Sequence, residues 1–287
     1  MNNMGQKQYE VLQWASLFLE KNNREPKVAD LLLQHHLDVS RTEFFALMRE
    51  DVPEEIADRF RMDIEKHVET GVPVQHLMGY EEFYGRKFSV NPHVLIPRPE
   101  TEELVQRVMN HASKKEPLTI VDIGTGSGII AITLALELPN ATVYAIDISE
   151  NALETAKSNA EKYHANVTFL QGDFLASFLA QNLKADIVVS NPPYISEEER
   201  PELTDTVVNH DPELALFADD NGLAAYKKII GQLPDAIITG GTVAFEIGHL
   251  QGEAVKALVM ETFPESDVSI LKDINGRDRI VFADNLK

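Results

Sequence analysis

Apolar residues recur along this chain in two different rhythms. Up to about residue 75 the spacing is helical throughout. Tyr9 to Lys21 carries apolar side chains three and four apart, and Ile56, Phe60, Ile64 and Val68 recur every fourth residue, with Gly71 just past the end. Ser40-Arg41-Thr42-Glu43 is a reciprocal N-cap sequence placed before Phe44, Phe45, Leu47 and Met48, and Pro53 suits a first helical position. Residues 1–75 are therefore expected to form a small helical bundle. Residues 76–98 change character: "EFYGRKFSVNPHVLIPRP" alternates, turns at Gly85 and contains three prolines, which predicts a short hairpin and an extended linker.

From residue 99 onward strand and helix alternate. Strands are expected at 118–123, 142–147, 167–170, 185–190, 242–247, 267–272 and 278–283, and helices at 101–112, 128–138, 150–163 and 223–233. Such alternation implies an α/β domain with a mostly parallel sheet covered on both faces. Only "DINGR" separates the last two strands, too short for a crossover, so these two are expected to form an antiparallel C-terminal hairpin.

Two sites emerge at the C-terminal ends of these strands. "TIVDIGTGSGII" reads as strand, glycine-rich turn and helix, with Gly124, Gly126 and Gly128 permitting close backbone approach to a ligand. One β-α-β unit later the strand "TVYAID" ends at Asp147, where a carboxylate can accept from both hydroxyls of a ribose, and Ser149 is placed to cap the next helix. A dinucleotide fingerprint needs glycine where Ile129 stands, and Asp122 beside the turn would repel a diphosphate. A cofactor with a cationic amino-acid tail, S-adenosylmethionine, suits Asp122 better. Asp173 and Phe174, ending the next strand, are candidates to hold its adenine.

The second site is "SNPPYI". Asn191, Pro192, Pro193 and Tyr194 hold no charge, nucleophilic hydroxyl or imidazole. They offer an amide, free carbonyls and a phenol ring on a stretch that two prolines make stiff. The matching guest is a planar NH2 group that donates to the Asn191 oxygen and the Pro192 carbonyl and lies against Tyr194. A carboxamide and the amino edge of adenine or cytosine satisfy this cradle equally.

The motifs "DIGTGSG", "AIDIS", "SNPPYI" and "FEIG" together resemble the class I (Rossmann-like) S-adenosylmethionine methyltransferases that act on amide or amino nitrogen. "GVPVQHLMGYEEFYG" and "VLIPRPETEELV" resemble, more narrowly, the release factor glutamine methyltransferases of the PrmC/HemK family, over essentially the whole chain. The resemblance implies methylation of N5 of the glutamine in the Gly-Gly-Gln loop of class 1 release factors. It implies that Asp122, Ile123, Gly124, Thr125, Gly126, Asp147, Ile148 and Asn191 contact the donor, that Asn191 to Tyr194 hold the glutamine, and that the helical domain docks the release factor.

Composition narrows the alternatives. The formal charge is −20, with no run of basic residues longer than two, which opposes a phosphate backbone as partner. An N6-adenine nucleic-acid methyltransferase, sharing the Asn-Pro-Pro-Tyr cradle, is disfavoured on that ground and by the acidic "SEEERPELTD" after the cradle. A glutamine methyltransferase of a ribosomal protein is the nearer alternative. The chain has no cysteine, which removes thiolate metal sites and cysteine nucleophiles, and no histidine pair has zinc spacing, so no metal is expected. With no secretory signal and no apolar run long enough for a bilayer, the sequence is read as a cytoplasmic monomer that touches no membrane.

Overall fold

The computed structural model describes residues 6–112 and 117–287. The chain divides into two compact units: one holds the residues up to Gly79 together with Thr204–His210, the other Tyr80–Leu203 and Asp211–Lys287.

The first unit is helical. Helices Gln8–Lys21, Val28–Leu37, Arg41–Ala46, Glu54–Thr70 and Val74–Met78 close around Val11, Ala15, Leu19, Leu32, Leu33, Phe44, Phe60 and Ile64. The cap at Ser40 is reciprocal: its hydroxyl accepts from the Glu43 N–H and its own N–H donates to Glu43 Oε2 at 2.9 Å. Pro53 stands one residue before its helix, and Gly71 ends that helix in the left-handed conformation. Thr204–His210 joins this unit from far along the chain. Arg24 grips Asp205 with two hydrogen bonds of 2.8 Å, and His210 Nε2 donates to the Thr70 carbonyl at 2.9 Å. The sequence expectation drew this unit from residues 1–75 alone and assigned nothing from the segment after the cradle to it.

The second unit opens with strands β1 (Tyr80–Phe83) and β2 (Arg86–Ser89), an antiparallel hairpin turned at Tyr84-Gly85. Seven further strands form one sheet: β3 (Thr119–Ile123), β4 (Thr142–Asp147), β5 (Val167–Gln171), β6 (Ala185–Ser190), β7 (Ile237–Glu246), β8 (Asp267–Lys272) and β9 (Asp278–Leu286). Their order is β5-β4-β3-β6-β7-β9-β8. Side chains alternate between two cores, one on each face: Val121, Ile123, Val188 and Phe245 look to one, Ile120, Ile187, Val189 and Ala244 to the other. The order reverses between β4-β3 and β6, so the carboxyl ends of β3, β4 and β6 open the crevice where a doubly wound sheet takes its ligand.

The C-terminal pair forms the expected antiparallel hairpin at the edge of the sheet. β9 inserts between β7 and β8 and runs antiparallel to both. The turn is tied by Asp273, whose Oδ1 accepts from the N–H groups of Asn275 and Arg277. A helix at Gly252–Thr262, with Val255 and Val259 buried, completes one face. No strand or helix was expected between 248 and 266, although that pair of valines four apart carries the helical signal. Among the described residues no helix is long and apolar enough to cross a membrane, and no group of three His, Cys, Asp or Glu side chains could hold a metal.

Candidate active site

A cavity of about 670 Å³ opens at the carboxyl ends of β3, β4 and β6. The turn after β3 is pinned to the end of β4, since the Gly124 and Thr125 N–H groups both donate to the Ile146 carbonyl, at 2.8 and 3.0 Å. Gly128 adopts φ of 84°, and a Cβ there would meet Ile132 at 2.8 Å and Ala156 at 3.0 Å. Glycine at that position lets the helix Ile129–Glu137 pack closely on its neighbour.

Asp147 anchors the same turn from β4. Its Oδ2 accepts from Gly126 N–H at 2.9 Å and its Oδ1 from Ser149 N–H at 2.9 Å, and burial raises its pKa above the ordinary carboxylate value. Its carboxylate still borders the cavity, as do Ile123, Gly124, Thr125, Gly126, Ile148, Asp173, Phe174 and Asn191. Ser149 caps the following helix, accepting from Ala152 N–H. Phe174 sits in the left-handed region at φ of 51°, which no sequence signal announced for so bulky a residue.

Asp122 is placed differently from the expectation. It is fully buried, lies outside the cavity wall, and points to the face occupied by the helix that follows the turn. Its Oδ2 accepts from Thr125 Oγ1 at 2.6 Å and from Ala131 N–H at 3.2 Å, so it secures the glycine turn to the first turn of that helix. Its Oδ1 is buried without a partner, and burial pushes its pKa up to about 7. The alternation of strand β3 explains the displacement: Ile123 ends the strand toward one core, so Asp122 must face the other.

The cradle follows β6. Ser190 Oγ donates to the Ile123 carbonyl at 2.7 Å and fixes the strand end beside the glycine turn. Asn191 and Pro193 line the cavity, whereas Pro192 and Tyr194 stand outside its wall. Tyr194 is packed against the core; burial pushes its phenol up to about 12. Its carbonyl accepts from Gln251 Nε2 at 2.8 Å. A positive-φ run at Asp220, Asn221 and Gly222 brings the backbone so close that a Cβ on Gly222 would lie 2.0 Å from the same carbonyl oxygen. Ile195 then pairs with Phe217, which brings the segment Pro212 to Ala218 onto the cavity.

Several cavity residues were not read as functional from the sequence. The linker supplies Pro92, Val94, Pro97 and Arg98, and the first turn of the helix Pro99–Ala112 supplies Thr101. Arg98 pairs with the buried Asp211 at 3.1 Å, tying the linker to the opposite wall. The prolines at 92, 97 and 99 were the available signal, since they mark a chain held extended rather than a loose connection.

These residues fit an adenosyl donor: backbone at Gly124 and Gly126, an acid at Asp147 on the cavity wall, and the apolar side chains of Ile148 and Phe174. Comparisons with known proteins agree. Residues 114–265 match the family model described as a methyltransferase domain, and residues 10–79 match the PrmC N-terminal domain. A release factor glutamine methyltransferase of Bacillus cereus is 48% identical over 96% of this chain and 98% of its own length. One from Bacillus subtilis is 47% identical over 96% of both. Among solved structures, a methyltransferase from Pyrococcus furiosus shares the fold at a TM-score of 0.51 and 18% identity, covering 70% of this chain and 89% of that one. A Thermus thermophilus 16S rRNA methyltransferase in complex with AdoMet and guanosine does so at 0.51 and 13%, covering 72% and 49%. With near full-length identity approaching one half and both family models matched, this chain belongs to the release factor glutamine methyltransferases.

Proposed function

We propose that this protein transfers a methyl group from S-adenosylmethionine to the side-chain amide nitrogen, N5, of the glutamine in the Gly-Gly-Gln loop of class 1 release factors. The observation that carries the reading is the meeting, in one cavity, of the Asp147–glycine-turn wall with Asn191 and Pro193 of the proline-stiffened cradle. The bound cofactor supplies an electrophilic methyl on a sulfonium.

The chain's own residues do the rest. The carboxylate of Asp147 accepts from the ribose hydroxyls while the N–H groups of Gly126 and Ser149 hold it in place. The Asn191 oxygen, on the cavity wall, accepts from a hydrogen of the glutamine NH2. Pulling on that hydrogen keeps the nitrogen lone pair from full delocalisation and stabilises the positive charge that grows there during attack. The stiffness of two consecutive prolines keeps that nitrogen on line. Tyr194 remains a neutral phenol near neutral pH and cannot act as a base, in keeping with a proton that leaves only after transfer, when the nitrogen has become strongly acidic.

The helical unit, with Thr204–His210, is the natural docking surface for the body of the release factor. The reading of a cytoplasmic monomer that contacts no nucleic acid belongs to the same proposal. One experiment tests it: incubate the protein with labelled S-adenosylmethionine and, separately, a release factor, a ribosomal protein and DNA, and map the label by mass spectrometry. Label on the Gly-Gly-Gln glutamine is expected. Label on the ribosomal protein or on DNA alone would overturn it.

A further inference from the structure

The "PRPETE" segment and the acid of "FEIG" have no part in the mechanism above, yet the structure brings them together behind the cradle. Glu246, the last residue of β7, is 2% exposed, and Thr101 is 1% exposed. Thr101 Oγ1 donates to Glu246 Oε2 at 2.7 Å, and Asn191 Nδ2 donates to Thr101 Oγ1 at 3.4 Å. Thr101 and Asn191 both reach the cavity, whereas Glu246 does not.

A carboxylate can only accept, so it takes the one proton of the threonine hydroxyl. The hydroxyl then has only lone pairs left to offer, and the amide beside it must turn its NH2 toward Thr101. The carboxamide has two ends, so its oxygen is left facing the cavity. We infer that Glu246 and Thr101 are positioning residues that fix the Asn191 amide with its oxygen toward the substrate nitrogen. The inference rests on the proposed role of Asn191 as acceptor. Without this pair the amide could present its NH2 to the glutamine NH2, donor against donor.

The arrangement is sensitive to the charge on Glu246. Once protonated, that acid can donate to Thr101, freeing the hydroxyl proton for the Asn191 oxygen and allowing the amide to turn over. Burial pushes the Glu246 pKa up to about 7, against the opposing influence of its hydrogen bond from Thr101. The other groups that face it are Arg279 of β9, Arg98 and Glu100 at the start of the helix Pro99–Ala112, and the phenols of Tyr194 and Tyr226. Both arginines are committed elsewhere, Arg279 to Asp273 and the Ile247 carbonyl, Arg98 to Asp211. Tyr226 donates to the Glu246 backbone carbonyl at 2.7 Å. Neither phenol ionises near neutrality, since burial raises both.

The test measures single-turnover methyl transfer to a release factor at saturating cofactor, from pH 5.5 to 9, with cofactor affinity by calorimetry alongside. Thr101→Val keeps the shape and removes the hydroxyl; it should slow transfer roughly ten- to hundred-fold, less than loss of Asn191 itself, with cofactor affinity unchanged. Thr101→Ser should recover to within about three-fold of wild type, equivalent to under about 1 kcal/mol in the barrier. The wild-type rate should fall on the acid side of a single ionisation near neutrality, and Glu246→Gln, which carries no charge at any pH, should be flat across that range. Equal rates for Thr101→Val and wild type, or an acid limb retained in Glu246→Gln, overturns the inference while leaving the proposed activity standing. If Thr101→Val does not fold, the Glu246→Gln profile decides. Absence of transfer to the release factor by the wild type overturns the activity and the inference together.

Discussion

Replacing Gly222 by alanine isolates how firmly the cradle is held from behind. Two costs can be read from the structure. Gly222 has φ of 79°, a conformation that costs an L-residue about 1–2 kcal/mol. The added Cβ would also lie 2.0 Å from the Tyr194 carbonyl oxygen, 2.8 Å from its carbonyl carbon and 2.5 Å from Gln251 Nε2. The oxygen must retreat by about 1 Å, yet it is held by the Gln251 amide, and the next residue, Ile195, is bonded on both sides to Leu216 and Ala218. Overpacking of this kind costs about 1–3 kcal/mol, giving a total of roughly 2–5 kcal/mol. At about 2–4 °C per kcal/mol for a chain of this size, Tm should fall by roughly 4–20 °C. A shift of about 1 Å in a positioning backbone also lowers turnover by roughly 10²-fold. Differential scanning calorimetry and methyl-transfer rates below the lowered Tm measure the two effects separately. Gly231→Ala is the control: it lies in the helix Ala224–Ala236 with nothing within 4 Å of its added Cβ, and should be neutral or stabilising by up to about 1 kcal/mol. A Gly222→Ala protein with wild-type Tm and rate would refute the idea that Tyr194 is clamped from this side.

Asn191→Ala should lower the chemical step by roughly 10²–10³-fold and leave cofactor affinity nearly intact by calorimetry; equal losses in both would indicate a collapsed site instead. Asp147→Ala should weaken cofactor binding about ten- to hundred-fold, since it removes charge-assisted hydrogen bonds, and an unchanged dissociation constant would exclude the ribose role. Asp122 sets a pH dependence of stability. The folded chain keeps a proton on this carboxyl up to about pH 7, while the unfolded chain releases it near 3.8, so folding takes up a proton between those values and stability falls as pH rises through that window. The effect is on the order of 4 kcal/mol at pH 8; Tm of Asp122→Asn should lose this slope relative to wild type, and parallel Tm–pH curves would rule the assignment out.

Much of this molecule was legible from local pattern, and the unread parts share a cause. The strand ends at Asp147 and Ser190, the cap at Ser40 and the glycine turn are written within a few consecutive residues, where period and turn chemistry suffice. The insertion of β9 between β7 and β8 is a matter of which strand pairs with which, and the pattern within each strand carries no information on that. Thr204–His210 joins the helical unit through Arg24–Asp205, a contact across most of the chain. The same holds at the site. Asp122 looked like a cavity acid because its residue type and position were right, but strand alternation sends it to the far face. Glu246, an acid closing the apolar run "VAF" and quoted only as part of the "FEIG" motif, carried a structural signal that went unread: a charge there has to be answered, and Thr101 answers it from 145 residues away.

The place of β9 has a consequence for biosynthesis. β8 leaves the ribosome before the strand it pairs with, and β7 waits with Val243 and Phe245 on a bare edge until β9 arrives to zip between them. Nascent or prematurely stopped chains lacking residues 278–286 therefore carry two unsealed borders, a target for chaperones and proteases even when the glycine turn and the cradle are already complete.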